Sequence, residues 1–294
     1  MEIIVEIGTA EQKELIKQEL EIIKTVCSNL TPPTQVICII VPENFDNKVN
    51  EIQNTIHYKS TRENHRAVAK TIITVRGIYL VFSGLLYTET YDNLKRLQFY
   101  LHELIHAINK QRFPALEKNV HSVKTYLLNL YILFDEYYAN RKSFEIVDNL
   151  FPQTSTKHKH GNRTELKLLI KPLIADSKHY DKIKLEIGKF RVHGQINQFL
   201  NNTECNFDEV SKAIVHSYSY IDHYPKFKRF ERFLLKSRFV NNKTLNLLNY
   251  YRKKFNENNT DLSDGVNLMI CFMENFGIRF EDTTQGIYCH VIDI

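Results

Sequence analysis

The sequence predicts an α+β chain, with a small mixed sheet and its helices in the first half and a mostly helical C-terminal region after it. Three observations lead there. Short β-branched, apolar runs fall before residue 83 and in the last nine residues. Longer stretches repeat apolar residues at three- and four-residue steps, the signature of helices with one buried face. A polar, basic break follows Phe151-Pro152, so domains over 1–152 and 153–294 are expected, the second able to pack on the first as one unit. At 294 residues, with 43% hydrophobic and 12% aromatic content, the chain is long and apolar enough to bury a large core.

The elements follow in order. Residues 10–29 read as an amphipathic helix, with Leu15, Ile16, Leu20, Ile22 and Ile23 at helical spacing, stopped by Pro32-Pro33. Residues 34–41 (TQVICIIV) read as a buried strand. Pro42-Glu43-Asn44 then turns the chain into a helix over about 46–56. Residues 71–75 and 78–82 are β-rich runs separated by Arg76-Gly77, a hairpin. Asp92 is an N-cap candidate for a helix whose Leu94, Leu97, Leu101, Leu104 and Ile108 form one apolar stripe. Phe113-Pro114 ends it, and a long helix over about 119–149 carries no Pro or Gly. Lys157-His158-Lys159-His160-Gly161 is an exposed loop, in which the lysines beside His158 and His160 would repel a cation. Helices fill the chain to about 255 and again near 264–275. Residues 286–294 (GIYCHVIDI) read as a terminal strand that can pair with residues 2–7 and close the two ends together.

Chemistry concentrates in His102-Glu103-Leu104-Ile105-His106. Histidines four apart lie on one helical face, one turn from each other, where two imidazoles can bind one zinc ion with Glu103 beside them as general base. They stand next to the leucine stripe, so the helix can bury its leucines and still present both histidines at the edge of a cleft. The plain alternative is two surface histidines on an ordinary amphipathic helix. A catalytic zinc takes three protein ligands and leaves one position open. Downstream, His121, Asp135, Glu136 and Glu145 are the candidates for the third. Glu136 sits mid-helix in Asp135-Glu136-Tyr137-Tyr138-Ala139-Asn140-Arg141, and the small Ala139 permits close helix approach.

A β-hairpin, a helix bearing HExxH, and a later helix bearing glutamate resemble the gluzincin branch of the zincin metallopeptidases. Glu136-x-x-Ala139-Asn140 is similar to the Glu-x-x-Ala-Asn signature of the ImmA/IrrE-type peptidase domain. The resemblance covers about residues 34–150. It implies a zincin-like catalytic domain, His102, His106 and Glu136 as ligands of Zn2+, and Glu103 as catalytic acid/base. Where that family commonly has glycine before the second histidine, this chain has Ile105. The metzincin continuation is absent, since Ala107-Ile108-Asn109-Lys110 follows, and no helix-turn-helix domain is recognisable.

The expected function is a cytoplasmic zinc metallopeptidase that hydrolyses peptide bonds in a protein or peptide substrate. Zinc brings its bound water to a pKa of about 7, Glu103 takes the proton, and the leaving amine receives it. The cluster His216, Tyr218, Tyr220 and His223 is a candidate source of a second electrophile, with packing and surface as its ordinary reading. Asp135 or Asn140 are candidates to orient the imidazoles, and the edge of the 78–82 strand to bind a peptide by strand addition. The alternative is a zincin-like protein with zinc but little turnover, acting as a protein- or nucleic-acid-binding module through its basic half.

Charge and cysteines bound these readings. Net charge is +5, but residues 157–254 hold 21 Lys and Arg against 9 Asp and Glu, a balance of +12. A solvated helical surface is the ordinary reading; an anionic partner, nucleic acid included, is the other. No Gly-rich phosphate loop or RNA-binding signature accompanies that charge. The five cysteines are odd in number and lack a Cys-x-x-Cys pair, which fits reduced thiols and argues against a disulfide framework or cysteine zinc site. Cys27 and Cys38 read as buried thiols. No apolar run is long enough to span a bilayer, and residues 1–6 place acids among apolar residues, unlike a signal peptide.

Overall fold

The structure, a computed structural model, describes residues 1–28, 36–62, 65–88, 91–112, 122–151, 163–174, 177–284 and 286–294. The expected helix stops at Pro32-Pro33 and Phe113-Pro114, the ligand candidate His121, the exposed histidines His158 and His160 and the side chain of Cys27 lie outside them. Tertiary contacts divide the chain into two compact units, Met1–Arg112 with Lys142–Phe151, and Phe113–Arg141 with Pro152–Ile294.

The first unit contains β1 (Glu2–Val5), α1 (Ala10–Ser28), β2 (Val36–Val41), α2 (Phe45–Gln53), the two-residue strands β3 (Thr61–Arg62) and β4 (His65–Arg66), β5 (Ala69–Thr74), β6 (Gly77–Phe82) and α3 (Asn93–Arg112). Its main sheet is mixed and runs β1-β2-β6-β5, with β1–β2 and β2–β6 parallel and β6–β5 antiparallel. The hairpin turns at Val75-Arg76, and Gly77 takes a φ of 136° that only glycine adopts without strain. Strand parity decides the layers. Ile78, Leu80 and Phe82 point into one core with residues of α1 and α3. Val81 and Ile72 join Phe45 and Val49 of α2 on the opposite face. Both faces are covered, which is why β2 and β6 are near-continuous apolar runs.

This order corrects one expectation. The 78–82 strand is interior, paired with β2 and β5, so it has no free edge for a peptide; the edges are β1 and β5. Leu15 also departs from its expected place: it is 60% exposed, whereas Ile16, Leu20 and Ile23 are buried.

Helix α3 begins where Asp92 Oδ1 accepts the Lys95 amide at 2.8 Å, the expected N-cap. Its buried side is wider than the leucine stripe and includes Tyr100, Ile105 and Ala107. A polar lock fixes α3 on α1. Arg96 Nε and Nη2 donate to Glu19 Oε1 and Oε2 at 2.8 and 2.9 Å, a bidentate pair. The Tyr100 hydroxyl lies 3.0 Å from Glu19 Oε1 and 2.8 Å from the Tyr87 hydroxyl. Burial pushes the Tyr100 phenol well above its ordinary range, so it stays a neutral hydrogen-bonding group.

Helix α4 (Ser122–Leu150) is continuous through the division. The second unit continues with α5 (Arg163–Ile174), α6 (Ser177–His193), α7 (Ile196–His223), α8 (Glu231–Leu234), α9 (Asn242–Asn256), α10 (Val266–Glu274), β7 (Ile278–Thr283) and β8 (Gly286–Val291). Helices α5 and α6 pack on α7, and α9 packs on α10. The terminal strand does not pair with residues 2–7. β8 pairs antiparallel with β7, and β1 pairs with β2. Strand β7 is tied to α4 instead: the Phe280 amide donates to the Tyr126 hydroxyl at 2.6 Å, and Ser122 donates to the Asp282 carboxylate. Among the described residues no helix is long and apolar enough to cross a membrane. Cys38 is buried as expected, and burial pushes its thiol up to about 11, the mark of an unreactive thiol.

Candidate metal centre

The leucine stripe turns α3 so that Leu97, Leu101, Leu104 and Ile108 enter the core while His102 and His106 stay half-buried at its margin. Their rings stand perpendicular, with centroids 4.5 Å apart, and the two Nε2 atoms approach to 2.9 Å. Tetrahedral zinc with Zn–N bonds of about 2.0–2.1 Å sets two such nitrogens about 3.3 Å apart, so a shift of a few tenths of an ångström suffices. Without a metal, the same approach is a hydrogen bond from one neutral ring to the other.

Glu103, between them in sequence, is 9% exposed. Its partner is a residue that sequence reasoning missed. Thr71 on edge strand β5 lies on the strand face turned toward α3, and its Oγ1 lies 2.6 Å from Glu103 Oε2 and 2.8 Å from the Glu103 carbonyl oxygen. One hydroxyl proton serves these acceptors, and the shorter contact is to the carboxylate. The only available signal was parity: Ala69, Thr71 and Ile73 share one face of β5, and Thr71 is polar where that face meets α3.

The donor expected on α4 is Glu136. Tyr137, next to it, is fully buried and donates to Asp222 Oδ2 at 2.7 Å, while Arg252 Nε donates to the same oxygen at 2.8 Å. This network locks the rotation of α4 against α7 and α9 and so aims Glu136. The Glu136 carboxylate, 18% exposed, meets two residues of α7: His216 Nε2 at 3.1 Å from Oε2, and Lys212 Nζ at 3.7 Å from Oε1. Lys212 also pairs with Asp208 at 3.1 Å, which draws part of its charge away.

One nitrogen each from His102 and His106 and one carboxylate oxygen of Glu136 all lie within 4.8 Å of one another. Two imidazoles and one carboxylate form a donor set suited to a catalytic zinc with an open position. The other α4 candidates stand outside that group. Glu145 receives Lys142 Nζ at 2.9 Å, and Asp135 is buried at 4% exposure outside the three-residue group. Asn140 Nδ2 donates to the Glu136 carbonyl at 2.9 Å and so braces α4 beside Glu136.

The His/Tyr cluster of α7 separates. His216 faces Glu136. Tyr218 and Tyr220 are fully buried, the first beneath Arg252 at 5.4 Å and the second packed on Tyr224 and Phe227. His223 packs edge-on against Tyr224 at 4.4 Å. Of the four, His216 touches a member of the three-residue group, Glu136.

Replacing Thr71 with valine keeps the β-branched shape and removes the donor to Glu103. Thr71→Val is expected to lower stability by about 1 kcal/mol, with Thr71→Ser restoring most of it. Equal thermal midpoints in wild type and Thr71→Val would show that the hydroxyl does not help to hold Glu103.

Scans against family models, curated proteins and solved structures returned no match to this chain.

Proposed function

We propose that this chain is a zinc-dependent metallopeptidase acting on a protein or peptide substrate in the cytoplasm. The observation that carries the reading is that His102, His106 and Glu136 form a group that could hold a metal ion, with the buried Glu103 following His102 in the chain. His102, His106 and Glu136 would hold the ion. Bound there, zinc supplies Lewis acidity toward water and the scissile carbonyl. Glu103 takes a proton from the attacking water and returns it to the leaving amine. Thr71 fixes the rotamer of that carboxylate through its 2.6 Å contact. His216 braces the second oxygen of Glu136, the part an outer partner plays toward a carboxylate ligand. Edge strand β5 carries Thr71 and has an unpaired side in the sheet order, so a substrate in extended form can run along it toward Glu103.

The histidine pair alone fits an ordinary ring-to-ring hydrogen bond. A buried carboxylate on the same turn, with its own hydroxyl donor, favours the enzyme, because a structural metal site needs no base there. The test starts from protein purified without added metal. It is expected to carry about one zinc per chain and to cleave members of a broad peptide library, with cleavage stopped by a chelator and restored by zinc. Protein that contains no zinc and takes up none would sink the reading. Full zinc with no cleavage across the library would move the function to a binding module.

A further inference from the structure

Residues 225–238 read PKFKRFERFLLKSR. Three times, at a period of three residues, a cation precedes a phenylalanine: Lys226-Phe227, Arg229-Phe230 and Arg232-Phe233. The first two pairs lie in a 3-10 helix, Pro225–Phe230, and the third in α8 directly after it. A 3-10 helix has three residues per turn, so side chains three apart eclipse one another. Sequence period and helix period therefore agree for the first two pairs. Phe227 and Phe230 form a buried row, while Lys226, Arg229 and Arg232 form an exposed one.

Each cation also lies over the ring that follows it, at 4.8, 5.4 and 5.2 Å from the centroids of Phe227, Phe230 and Phe233. Lys236 reaches Phe233 from the other side at 5.3 Å. The rings, buried at Phe227 and Phe230 and partly buried at Phe233, hold the charged heads and reduce the side-chain freedom that binding would otherwise remove. With the described residues, Lys226, Lys228, Arg229, Arg232 and Lys236 form no ion pair. The one acid of the segment, Glu231, faces Arg252 at 3.7 Å. Positive charge is thus concentrated and, among the described residues, not paired with acids.

We propose that this row binds the phosphate backbone of a nucleic acid. A rise of about 2.0 Å per residue sets Lys226 and Arg229 about 6 Å apart along the helix, the order of the spacing between successive phosphates on one strand. Two of the three members of the row are arginines, whose planar fork matches phosphate oxygens. Phe227 and Phe230 are buried beneath the charges and cannot stack on bases, so recognition is of backbone and independent of sequence. A lipid surface would reward an apolar wedge beside the charges. The only exposed large apolar side chain of the segment is Leu235, at 49%.

The experiment titrates the full chain against a short, labelled, mixed-sequence DNA duplex by fluorescence anisotropy over a range of salt. Lys226→Gln/Arg229→Gln/Arg232→Gln keeps the stems that cover the rings and removes three charges. Lys13→Gln/Lys17→Gln/Lys24→Gln on α1 is the charge-matched control, and circular dichroism with zinc content checks the fold of both. Wild type is expected to bind, with affinity falling steeply with salt. In the triple variant the slope of log K against log salt should shrink by about 3, with affinity at low salt reduced at least about tenfold. The control should match wild type. No binding at about 50 mM salt, an unchanged triple variant, or equal loss in the control would overturn the proposal. So would row-dependent binding to phosphatidylserine vesicles without binding to the duplex. Peptidase activity enters none of these readouts.

Discussion

Glu103→Gln is expected to keep the metal and to lower kcat/KM for peptide cleavage by about 10²–10⁴-fold, the range removed with a general acid/base. The amide has the shape of the carboxylate, and its oxygen can still accept from the Thr71 hydroxyl, which lies 2.6 Å from Glu103 Oε2 in the parent. The local fold therefore has no reason to change. What the substitution removes is the ability to take a proton from water and return it to a leaving amine. Zinc per chain and thermal midpoint should match wild type, since Glu103 stands outside the three-residue donor group. Cleavage within a factor of about two of wild type would exclude Glu103 as the base. Loss of zinc together with activity would place Glu103 among the ligands instead.

Local signals carried much of the site. The HELIH spacing, the Asp92 cap and the leucine stripe lie within 17 residues, and a helix converts such spacing into geometry with little help from the rest of the chain. The hairpin was legible for the same reason. Pairings between distant segments were not. Residues 286–294 read as a strand, but an apolar strand of this length does not say which edge it joins. Its true partner, IRFEDT at residues 278–283, hides behind three charged residues and an exposed face. Strand β1 resembles it in composition yet adds to β2, where its register with residues 38–41 buries Val5.

The third donor shows the same limit. Helix α4 buries residues on several sides, including Phe134, Tyr137, Tyr138 and Ala139, so periodicity does not single out the face of Glu136. Its rotation is set by Asp222 and Arg252, partners 85 and 115 residues beyond Tyr137. Spacing within 135–141 could propose Glu136 only beside Asp135. Thr71 was invisible for a related reason: a threonine in a β-rich run needs no function to explain it, until a carboxylate from a helix 32 residues later arrives at its hydroxyl.

Removing the ion, or a group that holds it, should have the second large effect, and on stability as well as activity. An ion that binds the folded chain and not the unfolded one stabilises by RT ln(1 + [L]/Kd), about 4 kcal/mol at a thousandfold excess over Kd. For units of this size that corresponds to a fall in Tm on the order of 10 °C when a chelator strips the metal. His102→Ala deletes one of the two Nε2 atoms that meet at 2.9 Å, and Glu136→Gln deletes the only anionic donor of the group. Each variant should purify with little zinc, show no cleavage, and have a Tm that neither zinc nor chelator moves. The two differ in what they leave behind. Glutamine at 136 still offers an amide oxygen to His216, so its metal-free Tm should match that of stripped wild type; alanine at 102 also leaves a small void beside His106 and should fall somewhat lower. Calorimetry with and without chelator, paired with metal analysis, checks both. A wild-type Tm indifferent to zinc, or full zinc retained in both variants, would reduce the histidine pair to a hydrogen bond on a helix surface.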